Sequence, residues 1–359
     1  GLPRLVEFND TKANEEMVHA ITLNDVHKRV TVIFRGSVTK NDFMTDAKIT
    51  QTKVKNPVLK LDSDCTETIN IHSGFYQYLF KMNDTTNKTR CEEILDVVKE
   101  LMTLNPGYRL YCCGHSLGGA LCTLFGFYAA ADDDILQLSS SAVRVISVAS
   151  PYVGNSKFLK SFQSLERHKR LQHIRVANVG DLVPLGPIVA PKLGMISPIM
   201  ALKNGAGNLY QHCGMNILLR QKIDGLPSYK IRYPQDHATD EQYAKEIESS
   251  FEKTKALFNS MKLAASSTTR PTVVKYHSCE EHESRLKACM HDLQMLTIDG
   301  LYADKTIVGN VLDKDYKPVY MTSAYARVKR IAGSTALKQS IKEEFKRNSS
   351  GLKDSENVI

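Results

Sequence analysis

Ser116 sits in the run Cys112-Cys113-Gly114-His115-Ser116-Leu117-Gly118-Gly119-Ala120, a G-x-S-x-G elbow. A serine at the end of a strand, on a sharp turn into a helix, is held in a strained and exposed position suited to nucleophilic attack. The flanking sequence supplies both elements. Tyr108 to Cys113 reads as a short buried strand, and Gly119 to Ala131 reads as an Ala- and Leu-rich helix without proline. Gly114 and Gly118 fit a turn that brings strand and helix too close for a Cβ at either place. The helix start aims free N–H groups and its positive dipole end at the serine, where a tetrahedral oxyanion would form.

A serine nucleophile needs a base and an acid that orients it, and on a strand–turn–helix elbow the order along the chain is Ser, then Asp or Glu, then His. Asp181 follows the strand His173–Val179 in a Gly180-Asp181-Leu182-Val183-Pro184 turn, at the open C-terminal edge of a sheet. Asp132, Asp133 and Asp134 follow the elbow helix directly and read as its solvated end. Five histidines lie beyond Asp181. His212 precedes an apolar strand-like run, and His282 and His291 lie within an expected helix, which leaves His237 and His277. Both sit at loop-to-helix positions, His277 after the strand-like Thr272-Val273-Val274-Lys275-Tyr276, and the residues alone do not separate them.

The elements that must carry these groups alternate. Strands are expected at 27–34, 69–74, 143–149 and 173–179, with a late hairpin from 217–222 and 229–233. Helices are expected at 75–82, 91–104, 157–165 and 280–296. Alternation of this kind implies an α/β fold with a mostly parallel central sheet flanked by helices. Residues 241–265 form a long amphipathic pattern with Ile247, Phe251, Phe258 and Met261 on one stripe. It suits core packing or a lipid surface. Pro184 to Met200 is apolar and broken by prolines, so it is not one helix; an acyl-groove wall, a membrane-facing loop and core packing all fit it.

The 359 residues, 42% hydrophobic and 24% charged, have ordinary globular composition. The formal net charge of +8 is scattered, with a modest concentration after residue 314, which allows transient contact with anionic lipid surfaces. No motif or aromatic–basic interleaving points to nucleic acid. No run of about 18 apolar residues predicts a membrane-spanning helix, so a soluble protein, cytoplasmic or secreted, is expected. The chain opens on Gly1 rather than Met, as a processed, tagged or partial chain would. Of eight cysteines, Cys112, Cys113 and Cys122 read as buried thiols beside the elbow, while Cys65 and Cys91 suit a disulfide in an oxidising compartment. The sequons Asn83-Asp84-Thr85 and Asn87-Lys88-Thr89 lie between those two. Without a C-x-x-C pair no structural zinc site is expected, and a serine nucleophile with its base and acid needs no metal or other cofactor. One unit over 1–310, with 241–265 as a helical insertion, and a basic, partly disordered tail over 311–359 complete the expected organisation.

Several ordered motifs over residues 28–300 resemble the class 3 lipases, the fungal triacylglycerol lipase-like branch of the α/β-hydrolases. Val32-Ile33-Phe34-Arg35-Gly36-Ser37, with Asp42-Phe43 and Asp46, resembles the oxyanion loop of that family. Ile71-His72-Ser73-Gly74-Phe75 resembles its His-x-Gly-Phe turn, and Ala149-Ser150-Pro151-Tyr152-Val153-Gly154-Asn155 its Gly-x-Pro-x-Val-Gly-Asn strand end, with the glycine replaced. Tyr210-Gln211-His212-Cys213-Gly214 resembles an element whose histidine is not catalytic. The resemblance implies Ser37 and the backbone N–H of Leu117 as oxyanion donors, and Ser116 and Asp181 as nucleophile and acid. It favours His277 as base, because Tyr276-His277-Ser278-Cys279-Glu280-Glu281 fits a His-Ser-x-x-x-Tyr-like loop in which His282 replaces the aromatic. His237 is the runner-up, with the spacing from Asp181 seen in compact members but with Tyr243 one residue late. The activity implied is hydrolysis of triacylglycerol or diacylglycerol through an acyl-enzyme. A phospholipase A1 or feruloyl-type esterase, or a catalytically silent lipid- or partner-binding module, are the rival expectations.

Overall fold

The protein was analysed as a computed structural model that describes residues 2–10, 17–36, 50–139, 141–181, 183–185, 210–223, 226–232, 272–294 and 296–303. Ser37, His237, the expected 241–265 helix, most of the 184–200 segment and the expected 311–359 tail lie outside the described residues.

Fourteen strands occur among the described residues: β1 (Arg4–Asn9), β2 (His19–Asn24), β3 (Arg29–Phe34), β4 (Gln51–Lys55), β5 (Thr68–His72), β6 (Met82–Asn83), β7 (Lys88–Thr89), β8 (Arg109–His115), β9 (Val143–Val148), β10 (Gly154–Asn155), β11 (Leu171–Asn178), β12 (Tyr210–Gln211), β13 (Met215–Ile223) and β14 (Leu226–Arg232). The helices are α1 (Ser73–Phe80), α2 (Arg90–Leu104), α3 (Leu117–Ala131), α4 (Asp133–Leu138), α5 (Ser156–Arg167), α6 (Thr272–His277), α7 (Cys279–Ala288), α8 (Met290–Leu293) and α9 (Ile298–Ala303).

Eight strands form the main sheet in the order β1-β2-β3-β8-β9-β11-β13-β14. The five inner ones, β3 to β13, run parallel, and antiparallel strands flank them on both sides. Parallel neighbours need crossovers, and α3 and α5 supply two of them. This is the α/β-hydrolase arrangement, with the C-terminal ends of β8 and β11 side by side about β9. The inner strands are short runs of branched apolar residues buried on both faces, as Val143, Val145 and Leu171 show. A second, antiparallel sheet has the order β12-β10-β5-β4.

α3 is the central helix: 13 of its 15 residues are buried, and Phe125 and Phe127 lie fully inside. A helix apolar all round must sit between layers. Here α3 lies against β8 and β9, with Gly126 allowing Val145 to approach: a Cβ there would meet Val145 Cγ2 at 2.3 Å. α2 begins with a full capping box, in which Thr89 and Glu92 satisfy each other's backbone N–H.

Three expectations change. Thr272–Tyr276 is the helix α6, not a strand, and the expected 280–296 helix breaks at Cys289 into α7 and α8. Cys65 and Cys91 are both buried free thiols, so no disulfide joins them. Burial pushes the Cys91 thiol far up, so it stays protonated and inert.

Candidate active site

The elbow forms where β8 ends and α3 begins. Ser116 has φ 58° and ψ −123°, a left-handed backbone that a non-glycine residue adopts only under constraint. The constraint is visible: Ser116 N–H donates to Val148 O at 2.9 Å, while Gly119 N–H bonds back to Ser116 O at 2.9 Å. Gly114 and Gly118 pack backbone on backbone, because a Cβ on Gly114 would lie 2.1 Å from Gly118 O and one on Gly118 2.1 Å from Phe34 O. Ser116 occupies the N-cap position of α3 but makes no side-chain cap bond, which leaves its Oγ for other work.

That Oγ lies 2.9 Å from His277 Nε2, a residue 161 positions away. His277 Nδ1 lies 3.0 Å from Asp181 Oδ2. The nucleophile, base and acid expected from the sequence thus meet in one hydrogen-bonded chain. Ser116 and Asp181 are only 6% and 5% exposed, while the His277 side chain between them is half-buried. Asp181 is fixed by its own turn: its N–H donates to Asn178 O at 3.2 Å, and its Oδ1 accepts from Val183 N–H at 2.9 Å. Oδ2 is left to face the imidazole.

His277 is held by contacts absent from the motif. The last residue of α6, it is followed by Ser278, whose hydroxyl caps α7 by accepting from Glu281 N–H at 3.2 Å. Asn178 Nδ2 donates to Tyr276 O at 2.9 Å. The Tyr276 ring lies against Gly180 (φ 96°), where a Cβ would come within 2.6 Å of it. Arg285 stacks its guanidinium 5.0 Å over the Tyr276 ring and donates to Val179 O and Leu219 O. His115, the variable residue of the elbow, carries its ring centroid 4.8 Å from that of His277 and places Nε2 3.0 Å from His277 O. A carbonyl only accepts, so His115 Nε2 donates. Burial, then the neighbouring His277, holds the His115 pKa down at about 4, so it stays neutral beside the chain.

The N–H of Leu117, the first residue of α3, is one of the helix's orphan donors and lies at the positive end of the helix dipole, beside the N-cap Ser116. Gly36, the described residue next to Ser37, touches the elbow: a Cβ on it would lie 2.9 Å from His115 O and 3.4 Å from Ser116 Cβ. Ala149, in the strand end whose family glycine is replaced, has φ 53°, the region that favours glycine, so alanine carries the strain there. His212 is engaged elsewhere, with Nε2 2.7 Å from Pro184 O and its ring stacked 3.8 Å from Tyr152. His282 is buried beside Asp181, which sequence reading did not anticipate. Its one sequence signal is that it replaces an aromatic. Among the described residues no cluster of histidine, cysteine, aspartate or glutamate could hold a metal ion. No helix there is long and apolar enough to cross a membrane.

Comparison with known proteins gives a matching family over residues 31–190, Lipase (class 3). Phospholipase A1-Igamma2, chloroplastic, of Arabidopsis thaliana is 28% identical over 210 residues, 53% of this chain and 36% of that protein. The secreted mono- and diacylglycerol lipase A of Penicillium camembertii is 26% identical over 192 residues, 54% of this chain and 53% of that protein. The chain therefore spans about a third to a half of the length of these relatives. Among solved structures, a lipase from Rhizopus microsporus var. chinensis aligns with a TM-score of 0.44 and 21% identity, over 64% of each chain.

Proposed function

We propose that this chain, whose residues 31–190 match the family Lipase (class 3), is a serine carboxylic-ester hydrolase acting on acyl lipids. The observation that carries the proposal is the continuous relay from Asp181 Oδ2 through His277 to Ser116 Oγ, with legs of 3.0 and 2.9 Å. Those are working distances for a general base and its orienting acid.

On this reading His277 Nε2 takes the hydroxyl proton as Ser116 Oγ attacks the ester carbonyl. Asp181 keeps Nδ1 protonated, which leaves Nε2 as acceptor, and then stabilises the imidazolium that forms. The Leu117 N–H and the Ser37 hydroxyl receive the oxyanion, each such donor contributing about 3 kcal/mol of transition-state stabilisation. The imidazolium returns its proton to the leaving alcohol. Water, activated by the same histidine, then cleaves the acyl-enzyme and frees the acid. The substrate class follows from the relatives, named as a phospholipase A1 and a mono- and diacylglycerol lipase. Both cleave acyl esters of glycerol, so an acyl glycerolipid is the substrate proposed.

The test is hydrolysis of p-nitrophenyl esters of short and long acyl chains by the parent, Ser116→Ala, His277→Ala and His237→Ala. Loss in the first two variants with activity retained in the third supports the assignment. Loss in His237→Ala with retention in His277→Ala moves the base. A folded parent inactive even on emulsified lipid leaves a binding module. Diacylglycerol offered beside phosphatidylcholine then separates lipase from phospholipase.

A further inference from the structure

His282 is 2% exposed, on the first turns of α7, and faces the same carboxylate as His277. Its Nδ1 lies 3.0 Å from Ser278 O, and because a carbonyl only accepts, Nδ1 carries the hydrogen. In the neutral ring Nε2 is therefore a bare lone pair. That Nε2 has no hydrogen-bond partner among the described residues, and it lies 3.9 Å from Asp181 Oδ2. Two acceptors thus face each other in a buried space, an arrangement that a proton on Nε2 would turn into a charge-assisted hydrogen bond. The oxygen concerned is the one that accepts from His277 Nδ1.

We propose that His282 is a proton-operated positioning residue for Asp181: when its Nε2 takes up a proton it donates to Oδ2 and draws that oxygen away from His277. The inference rests on the hydrolase reading of the relay.

The groups around His282 fix when this happens. Asp181, from the turn after β11, favours the added proton, as does the Ser278 carbonyl. Burial opposes it most strongly, and His277 from α6 and Arg285 from α7 oppose it by charge. His115 from β8 packs edge-on at 5.7 Å and stays neutral. The balance lies below the ordinary histidine range, so His282 is neutral at pH 7 and accepts its proton only in acid. A single inactivating protonation makes the rate fall inversely with proton concentration. A second proton on His282 makes the loss steeper.

The experiment measures kcat/KM on p-nitrophenyl butyrate from pH 8 to pH 4.5 for the parent, His282→Phe and His282→Tyr. It is paired with histidine ring NMR titrations of Ser116→Ala, with and without Asp181→Asn. The parental acid limb is expected to steepen from first toward second power in protons, and both His282 variants to stay first power. In Ser116→Ala the His282 ring is expected to take its proton within this range, and at lower pH once Asp181→Asn is added. Limbs of equal steepness in parent and variants overturn the proposal, as does a His282 ring neutral down to pH 4.5. A merely structural role lowers the rate at every pH without changing that steepness. If His282→Phe fails to fold, His282→Tyr, which keeps a ring and a non-titrating donor, carries the comparison. A parent inactive on every ester sinks the hydrolase reading instead, and the NMR titration still decides whether His282 and Asp181 share a proton.

Discussion

Gly118→Ala tests the elbow where its geometry leaves least room. A Cβ on Gly118 would lie 2.1 Å from Phe34 O, 2.7 Å from Phe34 C and 2.9 Å from Arg35 C. Ordinary contact begins near 3.4 Å, so the new methyl is more than 1 Å too close, and to backbone rather than to a side chain that can swing away. Neither neighbour yields readily. Phe34 is paired to Gly114 in the β3–β8 ladder, and α3 is buried against β8 and β9 along almost its whole length. Relief must come from α3 sliding off the strand ends, which carries Leu117 N–H and Ser116 Oγ with it. Overpacking of this kind costs about 3 kcal/mol. A displacement of about 1 Å at the reacting centre costs on the order of 100-fold in rate. We expect urea unfolding to show the first and kcat/KM on p-nitrophenyl butyrate the second. Gly107→Ala is the control: Gly107 has φ 81° but nothing within 4 Å of its Cβ position. It should lose about 1–2 kcal/mol from left-handed strain alone and keep the parental kcat/KM. A Gly118→Ala protein as stable as the parent, with kcat/KM within about tenfold, would refute the argument that close backbone approach sets the oxyanion geometry.

Asp181→Asn should lower kcat on the order of 10⁴-fold while the fold persists, because the amide no longer enforces the tautomer that leaves His277 Nε2 as acceptor; circular dichroism and steady-state rates check both halves. Tyr302→Phe should cost about 2–3 kcal/mol in urea unfolding. The Tyr302 hydroxyl lies 2.7 Å from Glu166 Oε1 and accepts from His173 N–H at 2.8 Å, at the end of β11 opposite to Asp181. Stability should also fall in acid through buried neutral histidines. Burial first, then Arg175, holds His173 at about 3, and His115 sits at about 4. Their unfolded forms take protons near pH 6.5, so the unfolded state binds more protons below that pH. The stabilisation they give is complete above pH 6.5 and drains as pH falls toward 4 and then 3. Unfolding free energies at pH 7.5 and pH 5 measure it, and His115→Phe should make the drop smaller.

The parts legible in the sequence are those where local pattern and tertiary role agree. VRVISV at 143–148 is a strand by branched-residue content and a strand in the sheet, and the elbow announces both its neighbours. β1 and β2 escaped notice because their pattern is poor: β1 exposes Leu5 and Phe8, while β2 buries His19, whose Nε2 lies 3.0 Å from Glu7 Oε1. Thr272-Val273-Val274 misled in the other direction. Branched residues favour strands, yet the segment is helical. Tyr276, further along it, docks on Gly180 and Asn178, and such tertiary contacts override a difference of a few tenths of a kcal/mol per residue. The same reason hid the support around the base. Nothing in the types or spacing of His115, Asn178 and Arg285 says that the first two bond the 276–277 backbone while the third covers the Tyr276 ring, because that convergence exists only after the C-terminal segment folds onto the sheet.

That folding-back is what the arrangement depends on. Ser116 and Asp181 sit at the ends of β8 and β11, held by a ladder of parallel strands that any α/β sheet would provide. His277 has no such ladder. It lies in a short helix whose position derives from its neighbours, and those attachments run to both supporting strands: His115 from β8, and Asn178 from β11 with the Val179 carbonyl just beyond it. Further along, Asp299 of α9 accepts two hydrogen bonds from Arg144 of β9 at 2.8 and 2.7 Å, and Tyr302 reaches His173 of β11. The segment is thus pinned on either side of α7, at the catalytic end of the sheet and again at its far end. A break at either pin loosens His277 before it loosens Ser116 or Asp181. Damage to Arg144 or Tyr302, both remote from Ser116, should therefore show first as lost stability of the α6–α9 segment, with the sheet and its elbow still folded. Hydrogen exchange resolved by segment would see α6 and α7 open ahead of β8 and β11 in such variants. Simultaneous opening of all four would mean that sheet and C-terminal segment form one cooperative unit, and that the far pin holds the base only through the whole fold.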